Sequence, residues 1–461
     1  MAGRKQVAIV GAGPAGIFAG LALSDVPGVK VRIFEKGPDI DARLANARRK
    51  GKARDARWLL SGWGGAGAFS DGKLTLSPEV GGQLTSYLPR PEVDRLLAEV
   101  DGMWLRFGAP EAVYGGDEDG MSELAARATR ADLKLVATRI RHLGTDRCPM
   151  VLREMRRALG ENVEVHAGEA VAKILAARGA ASGVETAAGK RYRADYVIAA
   201  PGREGSQWFV EEAARLALER EDNPVDVGVR VEVPAEVMAE VTATAYESKL
   251  IFYSKSFDDR VRTFCMCPYG EVVTEESEGV ITVNGHSYAG KRTGNTNFAL
   301  LVSTRFTEPF QDPIGYGRYV ARLANLISDG VICQRLGDLR AGRRSTAERI
   351  ARGLVRPTLE SATAGDLSFA MPHRYLSSIL EALEALDRFA PGIGSRHTLL
   401  YGIEVKFYSA RPHLTERLET EVRNLFAVGD GAGVTRGLVQ ASASGLLAGR
   451  EVRRRAESSG Q

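Results

Sequence analysis

The chain opens on two apolar runs separated by a glycine-rich turn. Val7 to Val10 carries no charge and suits a strand buried on both faces of a parallel sheet. Val29 to Phe34 predicts a second strand, ending at Glu35. Pro91 to Phe107 places Val93, Leu96, Leu97, Val100, Trp104 and Phe107 at helical spacing, which predicts a helix facing a core. Met150 to Leu159 predicts another helix, after a polar loop from His142 to Cys148. Val163 to Ile174 and Gly183 to Ile198 read as short strands of a small antiparallel layer. The last of them, Tyr196 to Ala200, ends at Pro201-Gly202 and reads as a third sheet strand whose tip approaches a ligand closely.

From Val225 the pattern changes. Val225 to Val233 alternates strictly, which predicts one buried face and one wet face. Further β-like runs follow at Leu250 to Tyr253, Val261 to Met266, Gly279 to Val283 and Phe298 to Ser303, then helical patterns over Tyr316 to Ile327 and Tyr375 to Phe389. Near the end, Leu399 to Tyr408 reads as a strand with Glu404 and Lys406 on one face. Asn424 to Val428 is another strand, and Ala441 to Gly449 is a helix of small residues suited to lie tight on a sheet.

The turn between the first two strands carries chemistry. Gly11-Ala12-Gly13-Pro14-Ala15-Gly16 fits G-x-G-x-x-G: Gly11 for the sharp bend, Gly13 for close approach of a pyrophosphate, Gly16 for close helix packing. Pro14 fits the first helical turn, and the helix N-terminus offers N–H groups and positive dipole to phosphates. Glu35 stands where a carboxylate binds ribose hydroxyls, and it would repel a 2′-phosphate, so the site prefers FAD or NAD to NADP. Downstream, Gly429-Asp430-Gly431 follows a strand and precedes a helix. Asp430 suits a ribityl hydroxyl, and the helix dipole then faces a flavin N1/C2 edge, where negative charge gathers on reduction. A fold binding only NAD has no need of this second site, so FAD is the expected cofactor.

These readings give an α/β protein. Residues 1–224 and 397–461 form a Rossmann-type FAD-binding domain with a parallel sheet and a small antiparallel layer. Residues 225–396 form an inserted α+β substrate domain. At 461 residues the chain exceeds one ordinary core. Its 44% hydrophobic residues contain no run long enough to span a bilayer. A net charge of +4 does not by itself argue for nucleic acid. Four cysteines form neither a disulfide framework nor a zinc pattern, which points to the cytoplasm. Arg4 and Lys5 ahead of Val7 to Leu23 resemble a secretory signal, but the glycine spacing and second strand explain the same residues as the start of the folded domain.

Other stretches invite chemistry. The basic segment Arg43 to Arg57 is a solvated helix face or a cradle for phosphates or an anionic substrate. Ser61 to Gly72, with Gly64 and Gly65, suits backbone lying flat against a ligand, and Trp63 and Phe69 argue for packing. Cys265 and Cys267 lie two apart on one strand face. Small buried hydrophobes are the preferred reading, with redox-active thiols beside a flavin as the alternative. His286, in the polar turn Asn284 to Ser287, is a proton donor or acceptor or else a solvent-exposed loop histidine.

With both ends in view, the chain resembles the FAD-binding superfamily typified by glutathione reductase, whose members grip one FAD with segments like GAGPAG…FEK and NLFAVGDGAG. SGWGGAGAFSDGKL, HLGTDRCP, APGREGS, RTFCMCPYGEV, LRAGRRST, LLYGIEVKFYS and GDGAGVTRGLVQASASG look like a bacterial group described mostly as FAD-dependent dehydrogenases without assigned substrates. The resemblance implies cofactor contacts at Gly11 to Gly16, Glu35, Lys36, Gly64, Gly65, Ala200, Gly202, Gly429 and Asp430. It also implies Val171 at the adenine and Gly437, Leu438 and Val439 at the isoalloxazine. No second G-x-G-x-x-G lies between Gly202 and Asn424, so no separate nicotinamide domain is expected. No C-x-x-x-x-C follows the first helix, which excludes the disulfide-reductase mechanism, and APGREGS lacks the Asp-Gly segment of aromatic flavin hydroxylases.

The expectation is an FAD-dependent oxidoreductase moving a hydride between flavin N5 and a small or medium organic substrate. His286 and Lys406 are its candidate proton-transfer or anion-binding residues. Its electron partner is NAD(P)H, O2 or a redox protein. The alternatives are an oxidase using O2, a flavoprotein acting on RNA through the basic segment, and a non-catalytic redox sensor.

Overall fold

A computed structural model describes residues 4–49, 57–70, 72–144, 146–221, 224–277, 279–288, 291–304, 306, 312–406 and 411–458. The chain divides into two compact units: Met1–Ala112, Arg141–Asn223 and Ser409–Gln461 form the first, and Val113–Ile140 with Pro224–Tyr408 form the second.

The first unit is built on a five-stranded parallel sheet. Its strands are β1 (Lys5–Val10), β2 (Val29–Glu35), β3 (Val163–Ala167), β4 (Tyr196–Ala199) and β5 (Leu425–Ala427), in the order β5-β4-β1-β2-β3. Ile9 faces Ile33 on one side and Ile198 on the other, and all three are buried. Crossovers cover both faces of such a sheet, which is why its strands read as unbroken apolar runs. Val163–Ala167 therefore corrects the expected layering: it pairs parallel with β2, because Val163 and Val165 continue the sheet beside Val31 and Ile33. The antiparallel layer proper is Val171–Ala177, Ala180–Thr186 and Arg191–Arg193.

Helix α1 (Pro14–Leu23) follows β1 with Pro at its first turn. Helix α2 (Leu438–Ser458) lies against α1. A Cβ at Gly445 would overlap the Ala15 carbonyl, and one at Gly449 would lie 2.8 Å from Ala22 Cβ. The small residues thus serve helix-on-helix contact with α1, whereas the sequence suggested contact with the sheet. The helix Arg90–Arg106 buries Val93, Leu96, Leu97, Val100, Met103 and Trp104, each large apolar side chain contributing about 1.5–3 kcal/mol.

The second unit holds an eight-stranded sheet, in the order Thr363–Ala364, Ile332–Arg335, Leu399–Lys406, Val225–Pro234, Asn295–Thr304, Arg260–Cys267, Lys249–Tyr253 and Lys134–Val136. Two boundaries therefore differ from the expected ones. Val113–Ile140 groups with this unit, Lys134–Val136 pairing with Lys249–Tyr253. Leu399–Lys406 pairs with Val225–Pro234, so the return to the first unit comes at 409 rather than 397. The predicted wet face of Val225 to Val233 is also overturned. Asp226, Arg230 and Glu232 are buried along with the valines, because charged partners (Arg262, Glu404) and, at Glu232, neutral hydrogen-bond donors from neighbouring elements cover them. No helix among the described residues is long and apolar enough to cross a membrane.

Candidate functional site

In the first unit the ends of β1, β2, β4 and β5 converge on one glycine-lined site. Gly11 takes φ +104, and a Cβ there would overlap the Ala200 carbonyl oxygen; one at Gly16 would overlap the Gly11 carbonyl oxygen. These two glycines are required by the fold itself. Gly13 is different: its φ is an ordinary −76, and an added Cβ would meet no protein atom within 4 Å. A Cβ added at Gly202, at φ +62, would likewise meet no protein atom within 4 Å. Gly13 caps α1 without a side chain, so the positive end of the helix faces that space. The arrangement fits a pyrophosphate.

Glu35 organises the loops around it. Its Oε2 accepts from the Ala12 N–H at 2.9 Å, and its Oε1 accepts from the Gly37 and Gly62 N–H groups, each at 2.9 Å. The Gly64 N–H donates to the Ala12 carbonyl at 2.7 Å, and a Cβ on Gly65 would come within 3.1 Å of Gly13 Cα. Lys36 Nζ donates to the Glu204 carbonyl at 3.0 Å. Ala170-Val171 opens the antiparallel layer, and the nearby Glu169 N–H donates to the Glu35 carbonyl at 2.9 Å, so Val171 stands close to the acid end of β2.

Arg43 was expected on a solvated face. It is fully buried instead, and three of the six other basic residues of Arg43 to Arg57 (Lys50, Lys52 and Arg54) lie outside the described residues. Its guanidinium donates to the carbonyls of Trp58 (2.8 Å), Trp63 (2.6 Å) and Gly65 (3.0 Å) and lies 5.0 Å from the Phe69 ring centre. Burial pulls its pKa down to about 10, with Glu35 opposing. Arg43 is thus the clamp that shapes the Gly64-Gly65 loop, a role with no signal in charge patterning alone.

The C-terminal segment closes the site. Gly429 turns at φ +79 and donates its N–H to Ser444 Oγ at 3.1 Å. Asp430 Oδ1 accepts from Thr435 Oγ1 at 2.7 Å, and its Oδ2 lies 3.6 Å from Arg203 Nε. A Cβ on Gly437 would come 3.3 Å from Gly81 Cα, and Leu438 packs beside Gly67. Val439 is buried one step into α2. Gln440, which sequence reasoning passed over, is buried and donates to the carbonyls of Pro78 (3.2 Å) and Val80 (3.0 Å), fixing the 77–84 segment against the start of α2. The structure therefore gathers Gly11 to Gly16, Glu35, Gly64, Gly65, Ala200, Gly202, Gly429, Asp430, Gly437 and Leu438 around one cradle.

His286 and Lys406 belong to the second unit. His286 ends the strand Val280–His286, paired with Glu271, so Asn284 to His286 is strand where a turn was expected. Lys406 Nζ lies 3.1 Å from Glu404 Oε1 and 3.8 Å from Glu275 Oε2. Glu404 in turn holds Arg230 through two bonds, Nε to Oε2 at 2.8 Å and Nη2 to Oε1 at 3.0 Å, both side chains being fully buried. Burial pushes the Glu404 carboxyl up, but Arg230 and Lys406 outweigh it and hold it below the usual range. Glu232, also buried, accepts from Tyr401 OH (2.5 Å), Thr358 Oγ1 (2.6 Å) and Asn295 Nδ2 (3.0 Å), yet burial keeps its carboxyl above the usual range. The available signal for this network was the matched alternation of charges in Asp226 to Glu232 and Glu404 to Lys406.

Comparison with known proteins adds to this geometry. Residues 224–407 match the family model described as FAD-dependent protein, C-terminal domain-like, and residues 367–460 match that of Glucose inhibited division protein A. An uncharacterized protein of Clostridium beijerinckii is 27% identical over 96% of this chain and 80% of its own length. Among solved structures, L-proline dehydrogenase from P. horikoshii is 10% identical, with TM-score 0.42, covering 99% of this chain and 95% of that one. Glycine oxidase from Geobacillus kaustophilus is 15% identical, with TM-score 0.41, over 98% and 95%. Neither solved structure shares enough to carry more than a passing likeness. The family matches and the cradle agree: the chain is similar to FAD-binding oxidoreductases of unassigned substrate, and FAD is its cofactor.

Proposed function

We propose that this enzyme moves a hydride between its flavin and a small or medium organic substrate. The observation that supports it best is the start of α2 at Leu438, a short loop after the Asp430–Ala432 turn. We take the positive end of this 21-residue helix to face the flavin edge that gathers negative charge on reduction. The bound FAD supplies the two-electron chemistry at N5. Gly13 and the α1 N-terminus take the pyrophosphate, Glu35 holds the loops and orients the ribose, and Asp430 accepts from a ribityl hydroxyl. Gly64 and Gly65 lay backbone along the cofactor, Lys36, Ala200 and Gly202 complete the cradle, and Val171 borders the adenine. His286 and Lys406 are the residues we assign to proton transfer or to holding an anionic group of the substrate. Lys406 suits the second task, since Glu404 and Glu275 hold its ammonium in place. The substrate is a small molecule, and the compartment we assign is the cytoplasm.

The test is an anaerobic titration of the yellow protein with NADH, NADPH and candidate organic substrates, watching the flavin absorbance. Bleaching by an organic substrate, with equimolar product, supports the reading, and reoxidation by air then separates an oxidase from a dehydrogenase. Flavin that no reductant or acceptor turns over would replace this reading with that of a redox sensor.

A further inference from the structure

The cysteine pair of the second unit is unlike the other two cysteines. Cys148 and Cys333 are each buried as small apolar side chains, and burial pushes the Cys333 thiol well up. Cys265 is half-buried and Cys267 fully buried, and their sulfurs lie 4.0 Å apart. In a straight strand, residues two apart have Cα atoms about 6.6 Å from one another, at the upper edge of what a disulfide tolerates. This strand is not straight. The register with Asn295–Thr304 slips between Phe264 and Cys267, and Cys265 takes a left-handed φ of +47, uncommon for a residue with a side chain. Within this curl the two sulfurs stand on one side, 4.0 Å apart.

A cation faces the same spot. Glu404 occupies Nε and Nη2 of the buried Arg230. Nη1 points the other way, to Asn297 Oδ1 (2.8 Å), the Cys265 carbonyl (3.1 Å) and Cys267 Sγ (4.0 Å). A guanidinium in dry surroundings favours thiolate over thiol, and thiolates are the reactive form. Gly285 makes the approach possible, because a Cβ there would overlap that guanidinium nitrogen.

We propose that Cys265 and Cys267 are a hydroperoxide-sensitive dithiol that closes reversibly to a disulfide. The Cys265 thiolate attacks the O–O bond, taking one oxygen as sulfenic acid while the other leaves as hydroxide. The Cys267 thiolate then attacks the Cys265 sulfur, forming S–S and expelling a second hydroxide. The two protons released by the thiols convert both hydroxides to water. The peroxide is reduced by two electrons and the thiol pair oxidised by two. The partly exposed Cys265 meets the oxidant, and the buried Cys267 resolves it.

Reduced holoprotein, freed of reductant, is treated with hydrogen peroxide and analysed by thiol titration and peptide mass. The expected result is loss of two of the four thiols, a peptide carrying Cys265 and Cys267 lighter by two hydrogens, and full recovery with dithiothreitol. In Cys267→Ser the sulfenic acid at Cys265 persists and is trapped by dimedone. Four intact thiols in the wild type, oxidation at Cys148 or Cys333 instead, or direct passage of Cys265 to an irreversible acid would overturn the proposal. The wild-type readout stands alone if the variant fails to fold.

Discussion

Replacing Glu35 by glutamine tests whether this acid serves the cofactor by building its cradle. The carboxylate accepts three backbone N–H bonds, each 2.9 Å long, from Ala12, Gly37 and Gly62. An amide has one acceptor oxygen. Turned toward Gly37 and Gly62, it keeps two bonds without their charge assistance and sets its NH2 against the Ala12 N–H. One charge-assisted bond, worth about 1.5–3 kcal/mol, is then lost outright. Ala12 adjoins Gly13, and Gly62 leads into Gly64-Gly65, so the loss falls on the phosphate and backbone contacts together. Expressed in FAD affinity, it raises Kd about 10- to 150-fold, at 1.4 kcal/mol per decade. The assay is quenching of FAD fluorescence on titration into apoprotein, with thermal melts of the apo form alongside. Glu35→Gln is expected to weaken FAD binding and to lower the apo melting temperature. Unchanged melting with weaker FAD binding would reduce Glu35 to a ribose contact, and no change in either would refute the reasoning.

Three further outcomes are expected. Glu404→Gln leaves the Arg230 charge buried without its counter-ion and costs about 3–5 kcal/mol, whereas Arg230→Met with Glu404→Leu recovers most of it; urea unfolding followed by circular dichroism reads both. Gly445→Leu drives a side chain into the Ala15 carbonyl and separates α2 from α1, costing at least about 1–3 kcal/mol and with it FAD retention, read as flavin content after gel filtration. Glu451 is held down to about 2 by hydrogen bonds from Arg454 and Arg455, with burial opposing. Its folded pKa lies below its ordinary value of 4.5, so its stabilisation is complete above that value and is lost as pH falls toward about 2. Acid melts of Glu451→Gln should lack this part of the slope, and identical slopes would contradict it.

The glycine turn was legible because its requirements are local. Gly11 and Gly16 have carbonyl oxygens where a Cβ would sit, and no other residue satisfies that geometry. The polar interior of the second unit was not, since alternation in Val225 to Val233 reads as a water-facing edge. The partner that buries Arg230 arrives 174 residues later, at Glu404. The same distance hid the place of Leu399–Lys406, an apolar run that fits either sheet until its neighbours are known. Val163–Ala167 was misplaced because its alternating pattern resembles an antiparallel strand, while its position beside β2 makes it the edge of the parallel sheet. Arg43 was hidden by its basic neighbours, and only the carbonyls of Trp58, Trp63 and Gly65 explain its burial.

Gly13 offers the most direct trial of the cofactor site. Its backbone angles are ordinary, its surroundings are open, and aspartate is a favoured residue at a helix N-cap. Gly13→Asp should therefore fold as well as the parent while setting a negative charge where the pyrophosphate lies. At about 4 Å, and with effective screening near a protein surface, such repulsion is on the order of 4 kcal/mol, or roughly a thousandfold in Kd. The measurement is FAD affinity of the two apoproteins, compared at equal apo melting temperature. Wild-type protein that binds one FAD per chain beside a stable, colourless Gly13→Asp is the predicted result, and a Gly13→Asp protein that holds FAD as tightly as its parent would contradict the account.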